Sequence, residues 1–178
     1  PRIKNVKLSN GVEGVFCYDY NEEIKAILFN FKACFDYELK DVFFFYQKQY
    51  FKLRYHNYIL VPAPSYKVKD QERGFNHVVE MFSCLGLKMV SAIEKTSDVK
   101  QADLSRNERA EVGRYLKWVD GVDLKGKKVL FIDDVLTTGA TAVACTNLIK
   151  ANGAKKIKFL VMSHTKNPCE LSQKAPII

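Results

Sequence analysis

"VLFIDDVLTTGAT", residues 129–141, sets an apolar run against two adjacent aspartates, then a threonine loop around one glycine. The run Val129 to Ile132 predicts a buried strand, which places Asp133 and Asp134 at its carboxyl end. Alternation along an extended chain sends the two carboxylates in different directions and eases their repulsion. Thr137 to Thr141 then open a helix over 139–153 that Gly153 stops. A helix N-terminus offers unpaired N–H groups and the positive end of the macrodipole, so an anion is welcome there. Thr137, Thr138 and Thr141 add hydroxyls, and Gly139 lets the backbone approach a phosphate closely. Acids ahead of such a cradle suit a sugar phosphate: acceptors for vicinal hydroxyls, donors for a phosphate. A plain helix cap would need a single Thr. The stretch is neither a G-x-x-x-x-G-K-[ST] phosphate loop nor a G-x-G-x-x-G dinucleotide turn.

Outward from it, strands and helices alternate. "VEGVFCY" (12–18) reads as a strand. "NEEIKAILFNFK" reads as an amphipathic helix, with Asn21 as its cap and Ile24, Ile27, Leu28 and Phe31 on one stripe. A second helix is expected from about Tyr37 to Leu53, with Leu39, Val42, Phe43, Tyr46, Tyr50 and Phe51 on one face. The aromatics between 43 and 58, with Lys48, Lys52 and Arg54 among them, read as a packed helix or as a stacking platform for single-stranded nucleic acid. "YILVPAPS" (58–65) is a buried strand ending in a Pro-x-Pro turn, 76–86 a helix, 87–93 a strand, and 94–114 a long polar loop. Strands at 127–133 and 155–162 complete the pattern of a parallel sheet covered on both faces, whose ligands bind beyond the carboxyl ends of the strands.

The 178 residues suit one domain, and 47% apolar content is enough to bury a core. No apolar run approaches the roughly 20 residues of a membrane span, so no membrane insertion is expected. The start, "PRIKNVKLSNG", has no apolar signal region and begins on Pro1 rather than Met, as a trimmed chain would. Five cysteines at 17, 34, 84, 145 and 169 include no Cys-x-x-Cys, which predicts buried free thiols in a reducing cytoplasm. A net charge of +8 favours phosphate-bearing partners, nucleotide or nucleic acid alike.

Along its whole length the 129–141 stretch resembles the phosphoribosyl-pyrophosphate motif of type I phosphoribosyltransferases. Three more segments, "VPAPSYKVKDQERGFNH" (61–77), "KTSDVKQADLSRNERAEVGRY" (95–115) and "GAKKIKFLVMSHT" (153–165), narrow the resemblance to the ComF family of bacterial competence-associated, phosphoribosyltransferase-like proteins. The resemblance implies an α/β fold: a twisted, mostly parallel sheet with helices on both faces. A small N-terminal helical or hood region over 1–57 would precede a core over 58–178, in one compact domain overall.

The resemblance also implies roles. Asp133 and Asp134 would hold the ribose hydroxyls, and Thr137, Thr138, Gly139, Ala140 and Thr141 the 5′-phosphate. Ala63, Pro64 and Ser65 would form the pyrophosphate loop, with Lys67, Lys69 and Arg73 as charge partners. Lys67 and Arg73 would join the acid pair in any catalytic group. Lys95, Gln101, Arg106 and Arg109 would belong to a mobile loop closing over the site. Mg²⁺ would arrive bridged by the ligand, with no protein metal site. The implied function is binding of phosphoribosyl pyrophosphate or a related sugar phosphate, with pentosyl transfer to a nitrogenous acceptor as its catalytic form. The alternative is a non-catalytic ligand sensor that handles single-stranded DNA during competence and DNA uptake. A homodimer and a competence-protein partner both stay open. Two departures stand out: these residues provide no N-terminal four-cysteine zinc module, which was either cut away or never part of this member, and "ERAEVGRY" lacks the Asn that the family places after the Arg of its mobile loop.

Overall fold

The structure is a computed structural model that describes residues 3–96 and 115–165. In chain order its elements are β1 (Lys4–Lys7), β2 (Glu13–Asp19), α1 (Glu22–Ala33), a 3₁₀ turn (Tyr37–Asp41), α2 (Lys48–Arg54), β3 (Ile59–Pro62), α3 (Lys67–Arg73) and α4 (His77–Ser83). They continue with β4 (Ile93–Lys95), β5 (Leu116–Trp118), β6 (Lys128–Leu136), α5 (Ala140–Ala151) and β7 (Lys156–His164). The main sheet runs β1-β2-β7-β6-β3, and a second, two-stranded ribbon pairs β4 with β5. β2, β7, β6 and β3 are mutually parallel, and β1 closes one edge antiparallel to β2.

β6 and β7 carry unbroken apolar runs, Val129–Ile132 and Phe159–Met162, which is why they occupy the middle of the sheet. Alternation divides their side chains between two cores. Leu130, Ile132, Leu160 and Met162 pack with Phe31, Phe43, Phe44, Phe51 and the α4 residues Val78, Met81 and Phe82. Val129, Phe131, Phe159 and Val161 pack on the other face with Ala142, Cys145 and Ile149 of α5. Helices on both faces of a mostly parallel sheet are the architecture expected from the strand–helix alternation. Residues 4–19 of the N-terminal region supply two strands to this same sheet.

α1 starts as its sequence predicts, with the Asn21 side chain accepting from the Ile24 N–H at 2.9 Å, and it buries Leu28 and Phe31. The single helix expected over 37–53 is instead a 3₁₀ turn, a run of turns and the short α2. The break lets the consecutive Phe43 and Phe44 both point inward, whereas Val42 and Tyr46 of the expected face are exposed. The strand expected over 87–93 shrinks to one parallel bridge, Met89 to Leu60, before the chain leaves to form β4. β1, α3 and β5 were not expected. Cys17 and Cys145 are buried, but Cys34, at the end of α1, is exposed and Cys84 is only half-buried; all four described cysteines are free. Among the described residues no helix is long and apolar enough to cross a membrane.

Candidate functional site

β6 extends three residues beyond its expected end, through Leu136, so both aspartates belong to the strand itself. Each carboxylate accepts its successor's backbone N–H: Asp134 N to Asp133 Oδ1 at 2.9 Å, Val135 N to Asp134 Oδ1 at 2.8 Å. Asp134 follows the parity of Leu130 and Ile132 and so stands on the face covered by α1 and α4. Both acids line a cleft of ≈ 840 Å³ at the carboxyl ends of β3 and β6.

Opposite the acids the chain leaves β3 through Ala63, Pro64 and Ser65, which line the same cleft. Pro64 has no N–H, and the Ala63 N–H is bonded to the Ile132 carbonyl at 2.8 Å, which leaves Ser65 as the loop's amide for a ligand. The Ser65 hydroxyl donates to Asp70, and Asn76 Nδ2 donates to Ser65 Oγ at 2.7 Å and to Asp70 Oδ2 at 2.8 Å. Asn76 also caps α4 by accepting from the Val79 N–H at 3.0 Å. The loop is therefore held from beneath by side chains of the "VPAPSYKVKDQERGFNH" segment.

Arg73 lies in the cleft wall, its side chain only 10% exposed. Its Nε donates to the Lys32 carbonyl at 2.9 Å, and its Nη1 lies 3.4 Å from Asp70 Oδ1 and 2.9 Å from His77 Nδ1. A guanidinium can only donate, so His77 Nδ1 accepts and the imidazole proton sits on Nε2. That nitrogen is 3.6 Å from Asp134 Oδ2. Burial, then the charges of Lys32, Arg73 and Lys95, push His77 down to about 2, so it stays neutral. The last turn of α1 delivers Lys32, whose ammonium pairs with Asp134 Oδ2. Burial lowers this ammonium to about 8, against the opposing charge of Asp133, and burial raises Asp133 to about 7, against Lys32 and Lys95.

Lys95, expected in the mobile loop, is on β4; its ammonium stands 4.6 Å from the centre of the Tyr66 ring and lines the cleft. Gln101, Arg106 and Arg109 lie outside the described residues, as do the side chains of Lys67 and Lys69 on α3. Thr141, in the first turn of α5, faces the main cleft. Thr137, Thr138 and Gly139 do not line that cleft; they line a separate, shallow depression with Lys7, Ser9 and His164. Gly139 takes φ +78, a left-handed turn that suits glycine, and starts α5. Ala140 N lies 3.4 Å from Thr138 Oγ1.

Among the described residues no group of three His, Cys, Asp or Glu is set to hold a metal ion. With Lys32 on Asp134 the donors do not make a protein cage. Asp133 and Asp134 are the carboxylates that a divalent cation carried in on a ligand would meet. Lys32, Asp70 and Asn76 escaped the sequence reading. For Asp70 and Asn76 the signal was present in the 61–77 segment. Lys32 had none, because only tertiary packing brings the end of α1 to β6.

The family description "Phosphoribosyl transferase domain" matches residues 76–176. Competence protein ComFC of Streptococcus pneumoniae is 31% identical over 150 residues, covering 83% of this chain and 66% of that protein. Competence protein ComFC of Bacillus subtilis is 29% identical over 126 residues, covering 70% and 52%. The chain thus matches between half and two-thirds of the length of these relatives. A hypoxanthine-guanine phosphoribosyltransferase from Bacillus anthracis shares the fold at TM-score 0.50 and 14% identity, with 78% of each chain covered.

Proposed function

The chain belongs to the phosphoribosyl transferase domain family, in its ComF branch, and on that footing we propose that the cleft binds phosphoribosyl pyrophosphate or a related ribose 5-phosphate. One observation carries the reading: the acid pair of β6 faces the Ser65 loop across the cleft, and the glycine-started helix α5 follows a few residues on. The ribose hydroxyls donate to Asp133 and Asp134. The 5′-phosphate sits on the Thr137–Thr141 loop, and the pyrophosphate lies over Ser65.

If the chain transfers the pentosyl group, a nitrogen nucleophile forms the new bond at ribose C1 as the bond to pyrophosphate breaks, through an oxocarbenium-like state. Magnesium carried on the ligand supplies charge neutralisation of the departing pyrophosphate. The Ser65 amide and the α5 N-terminus are fixed dipoles aimed at the anionic groups. The helices of the N-terminal region act as cover that keeps water out. Titration calorimetry with phosphoribosyl pyrophosphate and Mg²⁺ gives saturable, stoichiometric binding; no heat at millimolar ligand removes the reading.

The site's pH response follows from Asp133. Its carboxyl carries a proton up to about pH 7, because burial disfavours the charge. Accepting from two ribose hydroxyls favours the ionised form, so binding expels that proton. Affinity therefore rises with pH and levels off above the pKa, being about tenfold weaker at pH 6 than at pH 8 once the ligand phosphate's own titration is subtracted. Calorimetry in buffers of different ionisation enthalpy counts the released proton. Equal affinity across that range contradicts the assignment.

Single-stranded DNA handling, suggested by the relatives' competence naming, has an observation of its own. Phe45, Tyr46 and Tyr50 are 60%, 80% and 43% exposed, with Lys48 near the Phe45 ring and Arg54 near Tyr50. Stackable rings beside cations suit bases and phosphates. Salt-dependent oligonucleotide binding that survives loss of the acid pair supports this surface, and binding that is unchanged in Phe45→Ala/Tyr46→Ala removes it.

A further inference from the structure

We propose that Lys32 is the resident counter-ion of the acid pair: its ammonium holds the place at Asp134 that a free divalent cation would take, so the cleft admits metal only within a metal–sugar-phosphate complex. The inference deepens the function proposed above and rests on it.

Lys32 is fixed at both ends. Its side chain pairs with Asp134 Oδ2, and its carbonyl accepts from Arg73 Nε at 2.9 Å. Its helix is anchored by the buried Leu28 and Phe31. Asp134 is only 7% exposed, and its paired oxygen is flanked by the neutral His77 at 3.6 Å. Among the described side chains lining the cleft, Lys32, Arg73 and Lys95 stand against Asp70, Asp133 and Asp134. Above about pH 7, where Asp133 is ionised, these charges are balanced before any ligand enters.

A lone dication seeking carboxylate oxygens must displace the ammonium from Asp134. The ammonium would then be left largely buried without its partner, next to the new positive charge, which is a strongly unfavourable state. A sugar phosphate alters this balance. Its hydroxyls take over the aspartate oxygens, and its phosphates give Lys32 another anion. The cation and the polyanion then enter together, where the cation alone does not.

Mn²⁺ alone, followed by the electron paramagnetic resonance of the free ion, tests the proposal. Lys32→Met should bind one Mn²⁺ at least about tenfold more tightly than wild type, because a charge a few ångströms from the ion has been removed. Lys32→Arg, which keeps the charge, should match wild type, and Lys32→Met/Asp134→Asn should lose the gain. Far-UV circular dichroism checks folding, and Lys32→Gln replaces Lys32→Met should that variant not fold. Equal Mn²⁺ affinity in wild type and the charge-removed variant overturns the proposal. Adding ribose 5-phosphate is a separate arm. Uptake of Mn²⁺ by wild type only with the sugar supports the sugar-phosphate reading, and no uptake removes that reading, while the metal-alone comparison still judges Lys32.

Discussion

Asp133→Asn/Asp134→Asn should bind phosphoribosyl pyrophosphate with Mg²⁺ at least about 100-fold more weakly than the unaltered chain. Hydrogen bonds to an ionised acceptor are worth about 1.5–3 kcal/mol each, so two together exceed the ~2.8 kcal/mol that a hundredfold represents. Asparagine keeps the shape, and its Oδ1 can still accept the strand N–H that each aspartate now holds. The fold is therefore expected to survive, although Lys32 loses its counter-ion. Calorimetry at pH 8, paired with a thermal melt of the same sample, makes the comparison. A double variant that binds within about threefold of the unaltered chain would show that these acids do not hold the ligand.

The largest stability loss is expected at a residue with no chemistry at all. Gly14, on β2, is paired with Phe159 of β7, and a β-carbon there would stand 2.3 Å from the Phe159 carbonyl oxygen and 2.4 Å from its Cγ. Neither can retreat, because Phe159 is fully buried in a strand flanked on both sides. Gly14→Ala must push β2 away from β7, at a cost of about 3 kcal/mol or more. For a chain of this size that lowers the Tm by about 6–12 °C. Gly74 is the contrast: it has φ +80 but nothing within 4 Å of an added β-carbon. Gly74→Ala should cost only about 1 kcal/mol of backbone strain. A Gly14→Ala melt within about 2 °C of the unaltered chain contradicts the packing argument.

These two sites also mark where the sequence could be read and where it could not. The acid pair, the Thr137–Thr141 loop and the Ser65 turn are contiguous stretches whose composition states their geometry: apolar run, strand end, glycine start. The two-sided burial of β6 and β7 was legible for the same reason. The 37–53 segment misled because its apolar residues fit a helical period, while neighbouring phenylalanines competed for one core and broke the helix. β1 is short and mostly polar and β5 is only three residues long, and only pairing with a neighbour makes them strands. Gly14 looks like any glycine in a strand until its partner across the ladder is known. Lys32 looks like a solvent-facing residue at a helix end, and nothing local says that its ammonium meets an aspartate far along the chain.

The parallel pairing of β2 with β7 has a consequence for synthesis. β2 leaves the ribosome well before β7, so the edge opposite β1 lacks its native neighbour until residues 156–164 emerge. At translation rates of about 5–20 residues per second the wait is on the order of ten seconds. Throughout it the nascent hairpin presents an unpaired edge carrying Val15, Phe16 and Cys17, the kind of edge to which other chains add. Pairing of β7 is therefore the step that commits the chain to its native sheet, and truncations that remove β7 should yield aggregates rather than a smaller folded domain.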